Sequence, residues 1–190
     1  MPDNPQDALN DARDLHVALC SNPGVGKRIT EVADMLAETF RNGGKLLACG
    51  NGGSACDAAH LCEEFTGRFR RDRKSLPAIS CTDAGHLTCT ANDYGYNTVF
   101  ARWVEGLGRP DDVLFVLTTS GNSPNVVAAV EVAESAGLKT VALLGKGGGT
   151  LRGRCTYEWV VPGRTAERIQ ELHKLIIHTL VDQVEQRMMD

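Results

Sequence analysis

Two kinds of chemistry-bearing residues crowd into CGNGGSACDAAHLCEEF, residues 49–65: a glycine–serine loop, and a histidine followed by acids. Gly50-Asn51-Gly52-Gly53-Ser54 follows an apolar run and opens a helical pattern. Glycines let a backbone approach a ligand closely, and a helix start offers unpaired N–H groups and a positive dipole end. By type this is a loop for an anion or a sugar. Thr118-Thr119-Ser120-Gly121-Asn122-Ser123 repeats the strand–loop–helix context with four hydroxyls. Neither loop is a nucleotide motif. The GxGxxG spacing fails at 50–55, and Gly26-Lys27 and Gly145-Lys146 are followed by Arg28 and Gly147 instead of Ser or Thr. No lysine or arginine lies inside either loop, which suits a monophosphate held by N–H and O–H donors. Taken singly, each loop is a tight turn more readily than a site; two at successive strand ends carry more weight.

His60 and Glu64 are spaced i, i+4 and share one helix face. Spacing alone describes a surface pair, and the absence of HExxH excludes that class of metalloprotease. Far along the chain, RIQELHKLIIH carries Gln170, His173 and His178. His178 sits among Ile176, Ile177 and Leu180, the local setting of a core histidine. Gln170 and His178 are separated by about 12 Å of rise and roughly 80° of rotation on a straight helix. They can border one cavity; holding one ion together requires both to reach inward, or the helix to bend. His16 and His86 have no chemical neighbours in sequence and read as structural.

The elements that must position these residues alternate. Two N-terminal helices are separated by Ser21-Asn22-Pro23-Gly24, and the second ends at Asn42-Gly43-Gly44, with Gly43 as a left-handed cap. Short apolar strands follow in KLLACG, LPAIS, DVLFVLTTSG, KTVALLG and TYEWVVP. Helices are expected over SACDAAHLCEEFTGRF, 97–107, SPNVVAAVEVAESAG and 165–188, with a mixed segment before 97. Ser123 is placed to cap its helix and Pro124 suits the first turn. Unbroken apolar strands alternating with helices predict an α/β three-layer sandwich around a parallel sheet of about five strands. The reading is one domain over 1–190, with a helical segment at 1–42 and the α/β core at 45–190. Ligands of such sheets bind beyond the carboxyl ends of the strands, where both loops lie.

Composition narrows the function. A hydrophobic fraction of 42% supports a packed core, and a net charge of −4 disfavours a nucleic-acid binder. No apolar run approaches the roughly 20 residues of a membrane span, and the acidic start MPDNPQDALND does not read as a signal peptide. Seven cysteines without a CxxC pair read as free thiols in a reducing cytoplasm.

The segments GNGGSACDAAHLCEEFTGRF, ANDYGYN, LTTSGNSPNVVAA, LLGKGGG and RIQELHKLIIHTLVDQVE resemble the sugar isomerase (SIS) domain family, and within it the phosphoheptose isomerases. The resemblance implies a flavodoxin-like sheet and a homotetramer with active sites at subunit interfaces. It implies a phosphorylated heptose, sedoheptulose 7-phosphate, as substrate. Contacts would come from Asn51, Gly52, Gly53, Ser54, His60, Glu64, Asn92, Asp93, Thr118, Thr119, Ser120, Ser123 and Gln170. Glu64 and His178 would be the acid–base residues, and zinc, where family members carry it, would be held by His60, Glu64, Gln170 and His178. No nucleotide cofactor is implied. Ala55 replaces a histidine of some members, and Thr118 a serine. SIS domains also serve as phosphosugar sensors and, in one close relative, as a tetrameric scaffold for a replication initiator. That scaffold, or an isomerase of another phosphosugar, is the rival reading.

Overall fold

The computed structural model describes residues 4–189; residues 1–3, part of the polar start, and 190 lie outside the described residues. Helix α1 (Pro5–Cys20) and helix α2 (Pro23–Arg41) are each opened by an asparagine whose side chain accepts a backbone N–H, with proline next in line. α2 buries Ile29, Val32, Ala33, Leu36 and Phe40 at helical spacing. It ends where Gly43 takes a φ of +80°, the left-handed cap expected from sequence.

The alternating part runs β1 (Leu46–Gly50), α3 (Gly53–Thr66), β2 (Ala78–Ser80), α4 (Ala84–Tyr94), α5 (Val99–Leu107), β3 (Val113–Thr118), α6 (Pro124–Ser135), β4 (Lys139–Leu144), β5 (Tyr157–Val160) and α7 (Ala166–Arg187). All five strands pair in parallel in the order β2-β1-β3-β4-β5. Each central strand feeds both faces. In β3, Val113, Phe115 and Leu117 join the core under α2, α3 and α7, while Leu114 and Val116 join the core under α5 and α6. That two-sided burial is why these strands read as unbroken apolar runs. The chain moves outward from β1 to β2 and then reverses to β3. The switch point therefore lies between the ends of β1 and β3, where Gly50 pairs with Leu117.

Three details differ from the sequence reading. The mixed segment contains α4, capped by Asp83, whose carboxylate accepts the His86 N–H. Only Thr90 is buried, and the apolar side that α4 turns to the core is short, Leu87 and Ala91, which is too little to betray it. The helix expected to run through GRF stops at Thr66, leaving 67–77 as an irregular loop. Ser123 stands at the cap position of α6 but makes no capping bond; its hydroxyl lies 3.3 Å from that of Thr118.

Candidate active site

The two loops meet at the switch point. Asn51 and Asn125, the latter buried on α6, exchange two amide hydrogen bonds of 2.9 Å each. The Tyr96 hydroxyl donates to the side-chain oxygen Oδ1 of Asn51, also at 2.9 Å. These bonds tie the loop after β1 to the helix after β3. Gly52 has a φ of +57°, which favours glycine, and a Cβ on Gly53 would come within 2.5 Å of the Gln170 side-chain amide, which would have to move aside. In the second loop the Thr118 hydroxyl accepts the Gly121 N–H at 3.2 Å. A Cβ on Gly121 would strike the Gly148 carbonyl, so the glycine-rich turn after β4 backs this loop directly. Asn122 adds to the support by accepting the Thr150 N–H and hydroxyl at 2.8 and 3.0 Å.

Between the loops is a cavity of about 210 Å³ lined by Asn51, Ser54, Leu117, Thr118, Thr119, Ser123, Ala166 and Gln170. Three helices begin at its wall: α3 near Ser54, α6 after Ser123 and α7 at Ala166. Three positive helix ends and a ring of hydroxyls offer the donors an anion needs without a cationic side chain. A larger cavity, about 620 Å³, lies away from these groups, between the α1–α2 turn and β5.

Helices α3 and α7 run side by side from this cavity, pairing residue with residue. Gln170 lies over Gly53. One turn on, Lys174 meets the buried Asp57 at 2.7 Å. Beyond them, His60, Glu64 and His178 place one ligand atom each within 4.8 Å of one another. His60 Nε2 is 3.1 Å from Glu64 Oε1 and 3.1 Å from His178 Nε2. A single imidazole nitrogen cannot donate to the carboxylate and accept from the second histidine at once. Convergent donors of this kind fit a cation: tetrahedral zinc ligands at 2.0–2.1 Å lie about 3.3 Å apart. Burial, followed by His60 and Lys174, holds His178 below the usual histidine range, against the opposing pull of Glu64 and Asp57.

The structure thus brings three of the four residues expected around a metal into one group, with the Gln170 amide directed at Gly53 instead. Asn92 and Asp93 stay outside the cavity, exposed near the end of α4. Gly52 and Ser120 belong to the two loops without lining the cavity. His16 and His86 bond backbone carbonyls, as structural histidines do. The histidine of the final helix that occupies the core is His173, fully buried with neither ring nitrogen in hydrogen-bonding geometry. Sequence reasoning missed Asn125, Tyr96 and the start of α7; only the asparagine two residues after Ser123 offered a signal, a polar residue opening an otherwise apolar helix. Cys62 and Cys81 are pushed up to about 12 by burial, so neither supplies a thiolate here.

A parallel sheet with its two hydroxyl- and glycine-rich loops at the switch point is the architecture of a SIS domain, and residues 25–145 match that family. The chain is 53% identical over 162 residues to the phosphoheptose isomerase of Fusobacterium nucleatum, covering 85% of this chain and 84% of that one. It is 46% identical over 181 residues to the phosphoheptose isomerase of Vibrio cholerae, covering 95% of both. Its fold superposes on a phosphoheptose isomerase from Francisella tularensis with a TM-score of 0.90 at 35% identity, covering 95% of this chain and 96% of that one. The phosphoheptose isomerase from Neisseria gonorrhoeae gives 0.86 at 35% identity, with the same coverage. The chain belongs to the SIS domain family, among its phosphoheptose isomerases.

Proposed function

We propose that this protein is a ketose–aldose isomerase that converts sedoheptulose 7-phosphate to D-glycero-D-manno-heptose 7-phosphate, supplying heptose precursors. The observation that carries the reading is the seam between α3 and α7. It runs from a neutral anion cavity to a titratable group of His60, Glu64 and His178. Phosphate at the hydroxyl end would anchor the sugar and deliver its other end to the proton-transfer groups. A scaffold would not need Glu64 and His178 to meet.

The reaction removes a proton from C1 and adds one at C2 through an enediol. The Glu64 carboxylate shuttles that proton, and His60, 3.1 Å away, orients it. His178, kept neutral by its partial burial, accepts a proton from a sugar oxygen and returns it, which serves ring opening and oxygen-to-oxygen transfer. Asn51, Ser54, Thr118, Thr119 and Ser123 bind the phosphate and nearby hydroxyls, with Gly52, Gly53 and Ser120 shaping the loops and Gln170 bordering the sugar. His60, Glu64 and His178 would hold zinc, with Gln170 the fourth ligand that the resemblance implies; as ligands, Glu64 and His178 would have to shift off the metal to act as the free proton acceptors described above. Bound there, zinc supplies Lewis-acid polarisation of the carbonyl.

In this reading the enzyme is a cytoplasmic homotetramer. No helix among the described residues is long and apolar enough to cross a membrane, and all seven cysteines are free. Asn92 and Asp93 lie beside exposed Tyr94 and Tyr96, a surface suited to a second subunit whose site those two polar residues would complete. Incubation with sedoheptulose 7-phosphate, followed by NMR, should reveal an aldose heptose phosphate. Absence of that product from folded, zinc-supplied protein would refute the assignment. Sedimentation at micromolar concentration tests the tetramer, and a monomer would sink that part.

A further inference from the structure

The irregular loop after α3 is held by an ion pair that the reaction itself does not use. Arg73 and Glu185 have side chains only 3% exposed, with Arg73 Nε 3.3 Å from Glu185 Oε1. The Arg73 guanidinium donates to the carbonyls of Glu64 at 2.7 Å and Phe65 at 2.8 Å. The end of α3 leaves both carbonyls without a partner inside the helix, and that of Phe65 also accepts the Leu76 N–H at 3.0 Å. Glu185 accepts the N–H groups of Phe69, Arg70 and Arg71 at 3.2, 3.0 and 3.1 Å. The loop so pinned lays the Phe69 ring beside His178, with ring centres 5.9 Å apart. Glu185 lies two turns beyond His178 on α7. One buried pair therefore grips the backbone of Glu64 and, through the loop, the side of His178.

We propose that Arg73 and Glu185 are positioning residues: together they set where the Glu64 carboxylate stands relative to the His178 imidazole. This rests on Glu64 and His178 being the proton-transfer pair. Neither Arg73 nor Glu185 borders the phosphate cavity, so the pair governs turnover and leaves substrate anchoring alone. The molecule provides its own comparison. Asp112, 2% exposed, likewise accepts two backbone N–H groups, from Lys45 and Arg109, and pairs with the Lys45 ammonium at 2.5 Å. It stands just before β3, at the opposite ends of the strands from the site.

Arg73→Lys keeps the charge beside Glu185 but loses the planar fork whose terminal nitrogens reach the carbonyls of Glu64, Phe65 and Lys74. Glu185→Gln keeps the shape and removes the charge. In each, kcat should fall by about 10- to 100-fold, as expected for a displaced catalytic group, with KM within about twofold of the parent. Asp112→Asn should lower the melting temperature similarly while kcat stays within about twofold. If kcat in both site variants falls no further than in Asp112→Asn, or if KM rises in step with the loss, the positioning role is overturned. Glu64→Gln, assayed alongside, separates the layers. Loss of turnover there with normal turnover in Arg73→Lys refutes the positioning role alone, whereas normal turnover in Glu64→Gln refutes the proton-transfer pair beneath it.

Discussion

The two ends of the seam between α3 and α7 are built on opposite principles. At the cavity end the donors are hydroxyls, amides and helix starts, fixed by bonds such as the Asn51–Asn125 pair. Nothing there changes charge near neutral pH. At the other end three titratable side chains converge, and one nitrogen faces two neighbours it cannot satisfy together. Fixed neutral donors that hold a phosphate in both ground and transition states would govern affinity. Convergent groups able to exchange protons govern the chemical step. On the proposed roles, the difference teaches that a seven-carbon substrate would let one helix pair keep binding and chemistry apart.

The sharpest way to test this division is at the titratable end. Glu64→Gln and His178→Gln should each lower kcat by about 10²- to 10⁴-fold with little change in KM, the usual scale of one proton-transfer group. Steady-state assays that found the loss in KM instead would erase the distinction. Between the ends lies His173, which burial holds down to about 4. An unfolded histidine titrates near 6.5, so the unfolded chain binds this proton first as pH falls. Stability is full above about 6.5 and declines towards pH 4, by about 3 kcal/mol from this residue. Urea unfolding across that window should show His173→Leu losing correspondingly less than the parent; parallel curves would contradict the assignment.

At the cavity end, Thr118→Val and Ser123→Ala each remove a hydroxyl expected to reach the phosphate. A hydrogen bond to a charged group contributes about 1.5–3 kcal/mol, so KM should rise about 10- to 100-fold with kcat nearly kept. A fall in kcat at constant KM would show that this end takes part in the chemistry. The smallest expected effect is that of Asn125→Ala, which leaves the Asn51 amide without its partner. It should cost about 1–3 kcal/mol of stability in chemical denaturation. A change within a few tenths of a kcal/mol would mean that Tyr96 and water hold the loop without Asn125.

Much of the cavity end was legible because its signals are local. A strand end, glycines and hydroxyls within six residues describe a loop whatever it faces, and Gly52, Gly53 and Thr118 stand where that reading puts them. Asn125 and the start of α7 were not legible, since their part depends on which loops the sheet order brings together. At the titratable end, the i, i+4 spacing of His60 and Glu64 was plain, but spacing alone described a surface pair. The loop 67–77 was invisible as a structural part because Glu185, more than a hundred residues away, holds it.

By itself the sequence determined the α/β alternation, the parallel sheet and the two loops at strand ends. Apolar runs and turn residues act over a few positions, and two-sided burial leaves a mark in each strand. The family resemblance named His178, but only the tertiary structure decided which histidine of RIQELHKLIIH meets His60 and Glu64. His173 and His178 are five residues apart, about 140° around a helix, so one facing the core turns the other away from it. The apolar neighbours of His178 favoured it as the buried one. The packing of α7 against the sheet reversed that, sending His173 into the core and His178 to meet His60 and Glu64. The rotation of a helix about its own axis is set by everything packed against it, and no local run of residues contains that information.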